Sequence, residues 1–156
     1  MRDALSFTDR RRLLKGLSAI GAAPLLTGFA APVAGRVLAM SDLHSAYERT
    51  GQLLAALEAE VAAQRVPHVI AINGDIFEHG NVAAERSSGA IDWAFLGEAA
   101  KIAPTVVNLG NHDNDITPDL ADVVARLRAL GVTVVSTIID ARTGASYAPA
   151  TAHVPL

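Results

Sequence analysis

The chain alternates between short, nearly continuous apolar runs and longer stretches in which apolar residues recur every three or four positions. "RVLAMS" (36–41), "HVIAIN" (68–73), "TVVNL" (105–109) and "VTVVSTII" (132–139) are of the first kind. Their length and β-branched content predict strands. "QLLAALEAEVAAQ" (52–64) sets Leu53, Leu54, Leu57 and Val61 on one helical face, with acids elsewhere. "AIDWAFLGEAAKI" (90–102) and "TPDLADVVARLRALG" (117–131) predict two further helices. The second of these carries boundary signals: Thr117 as cap, Pro118 in the first turn, Asp119 at the positive end and Gly131 as the stop. "ARTGASYAPATAHVPL" (141–156) predicts a turn and an edge strand. Strands of this kind alternating with helices imply an α/β fold whose parallel sheet is covered on both faces.

A polar cluster follows each of the first three strands. After the first come Ser41, Asp42, Leu43 and His44, and after the second Asn73, Gly74, Asp75, Ile76, Phe77 and Glu78. After the third come Gly110, Asn111, His112 and Asp113. Asp42 and Asp75 are 33 positions apart and Asp75 and Asn111 are 36, the lengths of successive strand–helix units. In an open parallel sheet, ligands bind outside the carboxyl ends of the strands. Asp42, His44, Asp75, Asn111 and His112 are therefore expected to converge. Carboxylates, imidazoles and an amide oxygen suit hard to borderline divalent ions. Asp75, on the middle cluster, is placed to bridge two of them. Two such ions can clamp a phosphate during in-line displacement and activate water near neutral pH. Taken singly, each residue also has an ordinary structural use: Asp42 as a helix cap, Asp75 or Asn111 in tight turns.

Composition narrows the chemistry. There is no cysteine, which excludes disulfides and thiolate metal sites. Five basic residues and two acids in the first 35 positions put that segment at +3 and the rest at −6, for a total of −3. An acidic body does not attract nucleic acid by bulk electrostatics, so no nucleic-acid partner is expected. The first segment, "DRRRLLKGLSAIGAAPLLTGFAAPVA" (9–34), runs from a basic cluster into an uncharged apolar stretch with small residues near its end. That is the order of a signal peptide, so residues 1–34 are expected to be an export signal. "RRRLLK" resembles the twin-arginine signal, with Arg10 and Arg11 as the pair, and implies the twin-arginine export machinery as a partner and a periplasmic or extracellular location. Asp9 stands where that signal usually has Ser or Thr.

"SDLH", "NGDIFE" and "LGNHD" together resemble the ordered motifs D-x-H, G-D-x-x-E and G-N-H-D/E of the calcineurin-like metallophosphoesterases. "SDLHSAY" and "VVSTIID" are similar to stretches of the 5′-nucleotidase and 2′,3′-cyclic phosphodiesterase branch. The resemblance implies that residues 36–156 form the N-terminal half of a four-layer α/β/β/α sandwich. It implies two divalent metal ions (Zn, Mn, Fe, Co or similar) and hydrolysis of a small phosphate ester, such as a nucleotide, by metal-activated water. It assigns Asp42 and His44 to the first metal and Asp75 to both. Asn111 goes to the second metal and the phosphate. His112 becomes the acid that protonates the leaving oxygen, Asp115 the group that orients it. Asp113 and Glu78 match positions that look structural, because loop carboxylates bond backbone N–H groups.

The family pattern continues with a lone histidine and a G-H-x-H pair, which His68, His79 and His153 do not supply. The expectation is a domain truncated at its C-terminus, which leaves an apolar sheet face or edge uncovered. A non-catalytic metal- or phosphate-binding relative and a different metal-dependent ester hydrolase are the alternatives.

Overall fold

The computed structural model describes residues 34–155. The expected export signal lies, up to residue 33, outside the described residues. Among those described, the order is β1 (Arg36–Ser41), α1 (Tyr47–Ala63), β2 (His68–Asn73), α2 (Val82–Ser87), α3 (Ala90–Ile102), β3 (Thr105–Asn108), α4 (Leu120–Ala129) and β4 (Thr133–Val135). The four strands form one parallel sheet in the order β1-β2-β3-β4. Register is direct, with Leu38 opposite Ile70, Ile72 opposite Val107 and Val107 opposite Val134.

The strand order corrects one expectation. Each strand is laid down beside the previous one in a single direction. Crossovers between parallel strands are right-handed, so successive crossovers in one direction put every helix on the same face. Burial agrees. Ile70, Ile72, Val107 and Val134 are buried beneath the helices with Leu57, Phe95, Leu96, Val123 and Leu127. On the other face Val37 is 67% exposed, Ala39 is exposed, and Val69, Ala71, Val106 and Val135 are only half-buried. The described residues thus cover one face of the sheet, not two. Along each strand burial alternates between the two faces, which the near-continuous apolar sequence hides.

Several element boundaries also move. The first helix starts at Tyr47, five residues before its periodicity becomes visible. The short α2, capped by the Asn81 side chain on the N–H groups of Ala83 and Ala84, is not predicted at all. Asp119, not Thr117, caps α4, accepting from the Ala121 N–H, and Pro118 precedes the helix. Gly131 does follow its end, with φ 82°. β4 keeps only three of eight expected residues. Ser136 N–H then turns to the Pro149 carbonyl, and a single bridge between Ile139 and Ser146 replaces the edge strand. His68 is buried at the start of β2, its Nε2 without a partner among the described residues.

No helix among the described residues is long and apolar enough to cross a membrane. An exposed apolar face bounded by an unpaired edge strand promotes self-association. Val37→Lys is therefore expected to lower light scattering and binding of a hydrophobic dye by the 156-residue chain. Stability should stay within about 0.5 kcal/mol, because the side chain contributes little to the core. A large fall in melting temperature without reduced scattering would contradict this description of the face.

Candidate metal centre

The loops at the carboxyl edge hold one another. After β1, Asp42, His44 and Ser45 have positive φ (54°, 45° and 48°), and after β2 so do Gly74 and Asp75 (69° and 53°). For a residue with a Cβ this conformation costs roughly 1–3 kcal/mol and persists only where its surroundings fix it. Here the backbone does. Asp42 N–H donates to the Gly74 carbonyl (3.2 Å), His44 N–H to that of Asp75 (3.0 Å) and Ser45 N–H to that of Ile76 (2.9 Å). The β1–β2 pairing thus continues as a bonded track beyond the strands.

The third loop joins by close contact. A Cβ on Gly110 would lie 2.2 Å from Asp75 Oδ1 and 2.5 Å from the Asp75 nitrogen. One on Gly74 would lie 2.7 Å from Gly110 Cα. Asp113, fully buried, fastens the same two loops: Oδ1 accepts from Ile76 N–H (2.8 Å) and Oδ2 from Gly110 N–H (2.7 Å). Burial pushes its pKa up, opposed by these two bonds. Asp113 therefore does what a structural loop carboxylate is expected to do.

Glu78 does not. Its carboxylate meets the imidazole of His44, Oε2 to Nδ1 at 2.5 Å, instead of backbone N–H groups. That leaves His44 Nε2, 3.8 Å from Asp42 Oδ1, as the nitrogen free to ligate. Asp42, His44 and Asp75 each place a ligand atom within 4.8 Å of the other two, and so do His44, Glu78 and His112. Two carboxylates and an imidazole fit a borderline divalent ion with an open position. A carboxylate on the far nitrogen of a ligating histidine fixes its tautomer and orientation. The first triad is a candidate site for one ion. Asn111 follows Gly110 on the rim and is exposed.

His112 stands beside this triad, its ring centroid 5.1 Å from that of His44. Its backbone N–H donates to Asp75 Oδ1 (2.9 Å), and its Nδ1 pairs with Asp115 Oδ2 (2.8 Å). The bond to Asp115 raises the His112 pKa; desolvation acts the other way, and the charges of Asp115, Asp75 and Glu78 add to the rise. For Asp115, burial is the largest single influence and pushes upward. The bonds from His112 and from the His79 N–H (2.9 Å) outweigh it, so its pKa is lowered. His79 thus reaches the site through its main chain, while its ring is largely exposed. His153 is exposed in the tail.

Sequence reasoning missed the contact of Glu78, although its spacing three residues beyond Asp75 was a signal. It also missed a buried group behind the first loop, Ser45, Tyr47 and Asp92, for which no sequence signal exists. The sequence model of the family described as calcineurin-like phosphoesterase matches residues 35–143. No curated protein and no solved structure gives a match.

Two substitutions test the packing of the loops. Gly110→Ala forces the Asp75 backbone away and is expected to destabilise the fold by about 1–3 kcal/mol in denaturant titration. Asp113→Ala orphans two N–H groups, at about 1–3 kcal/mol for each. Wild-type stability in either variant would show that the second and third loops are not in this contact.

Proposed function

Because the chain belongs to the calcineurin-like phosphoesterase family, we propose that it is a metal-dependent phosphoester hydrolase whose substrates are nucleotides or related small phosphate esters. One observation carries the reading. Asp42, His44 and Asp75 gather their ligand atoms within 4.8 Å, and an imidazole held by its own carboxylate stands directly beside them. A divalent ion bound by the triad supplies Lewis-acid polarisation of a phosphoryl oxygen and activation of water.

The remaining roles belong to the chain. Asp42, His44 and Asp75 would hold a first ion, Asp75 and Asn111 a second, and Asn111 would also contact the phosphate. Glu78 orients His44. Asp115 accepts from His112 Nδ1, which directs Nε2 outward to donate its proton to the leaving oxygen. An imidazolium kept charged by a carboxylate is a competent general acid. The 5′-nucleotidase or cyclic phosphodiesterase branch is supported by "SDLHSAY" and "VVSTIID". Export by the twin-arginine route, to the periplasm or beyond, is supported by Arg10, Arg11 and the uncharged run after Lys15.

The test combines metal analysis with hydrolysis of an aryl phosphate. Asp75→Ala is expected to lose metal and activity together. His112→Ala is expected to keep its metal while turnover falls by about 10²–10⁴-fold, the usual contribution of a general acid. If His112→Ala empties the site instead, His112 is a ligand, as the His44–Glu78–His112 grouping allows. At most one ion per chain and no hydrolysis would favour a binding relative without turnover.

A further inference from the structure

Behind the first metal loop lies a buried polar group that the chemistry above does not use. Asp92, in the first turn of α3, is only 5% exposed. A carboxylate there is costly unless it is bonded. Its Oδ2 accepts from Ser45 Oγ (3.0 Å) and from Tyr47 Oη (2.8 Å). Ser45 is 1% exposed and immediately follows His44. Every polar atom of Ser45 is committed. Its N–H donates to the Ile76 carbonyl (2.9 Å), and its carbonyl accepts from Asn81 Nδ2 (2.8 Å) and from Tyr47 N–H (2.8 Å). Its hydroxyl goes to Asp92. His44 and Ser45 are consecutive non-glycine residues with positive φ, a conformation maintained only when neighbours over-determine it.

We propose that Asp92 is a positioning residue for the metal centre: through Ser45 and Tyr47 it holds the loop after β1 in the left-handed form that aims Asp42 and His44 at the ion. Asp92 is in neither group of candidate ligand residues, and it holds the residue next to the one that Glu78 holds. The chain therefore grips His44 twice, at Nδ1 through Glu78 and at the backbone through Ser45 and Asp92. Tyr47 belongs to the same device. Its phenol is pushed up to about 12, by burial and then by the bond to Asp92, so it stays a donor across the working pH range. The proposal rests on the phosphoesterase reading, because it needs an ion to be held.

The full chain is titrated with Co²⁺, followed by visible absorption and calorimetry, and its folding is checked by near-ultraviolet circular dichroism and melting. Asp92→Ala is expected to weaken Co²⁺ binding by about 10–100-fold, the usual effect of losing an outer support of a metal ligand. It is also expected to change the absorption band. Asp92→Asn keeps an oxygen that can accept, and should restore most of the affinity. Tyr47→Phe should fall between. A folded Asp92→Ala with wild-type affinity and spectrum overturns the proposal. If Asp92→Ala does not fold, Tyr47→Phe decides, and unchanged binding there overturns it. A wild-type chain that binds no Co²⁺ overturns the phosphoesterase reading and this proposal with it.

Discussion

The contact between Gly74 and Gly110 is the constraint on which the site depends. There the turns after β2 and β3 approach until a single methyl group on either would overlap the other's backbone. Only this approach lets Asp75 Oδ1 meet the N–H of His112, and only it lets Asp113 bond both loops at once. The two glycines act differently. Gly74 supplies a left-handed turn, whereas Gly110 supplies space. The loop after β1 is then added to this pair by three backbone bonds. The loops that carry the candidate carboxylates and imidazoles are thus fixed by main-chain contacts together with the Asp113 carboxylate.

The direction of the strand order has consequences beyond the site. Because every crossover advances one way, all helices collect on one face, and the edge where the loops emerge is lined by three successive loops. The helical face holds the hydrophobic core, and the opposite face keeps half-exposed valines and alanines. The helices therefore serve the site as well as the core. α3 contributes Phe95 and Leu96 to packing, and from the same element Asp92 reaches the loop after β1. α2, though only six residues long, is capped by Asn81, whose amide also fastens Ser45.

Electrostatics at the centre is arranged as pairs. His44 with Glu78 and His112 with Asp115 are two imidazole–carboxylate couples set side by side. In each, the carboxylate takes Nδ1 and leaves Nε2 free of it. The two imidazoles are alike in this respect but not in their surroundings. The difference lies in their neighbours: Asp42 and Asp75 share their ligand distance with His44, while His112 is held to Asp75 by its backbone N–H.

β1, β2 and the start of β3 were legible in the sequence because short apolar runs end abruptly in polar clusters, and repeated spacing placed those clusters on one edge. The convergence of Asp42, His44, Asp75 and His112 was legible for the same reason. The start of α1 was not, because Tyr47 joins that helix while its hydroxyl is bonded to a residue 45 positions away. α2 carries too few residues to show a period. The short β4 was overestimated because Ser136 bonds to Pro149 instead of continuing the sheet. The sequence by itself thus determined where the four strands begin, which edge gathers the candidate ligands and which chemistry those side chains suit, since local periodicity and side-chain type suffice for that. Only the tertiary structure decided that one face of the sheet is covered, that Glu78 belongs to His44, and that Asp92 stands behind the loop after β1. Each of these depends on contacts between distant segments, which spacing along a chain does not record.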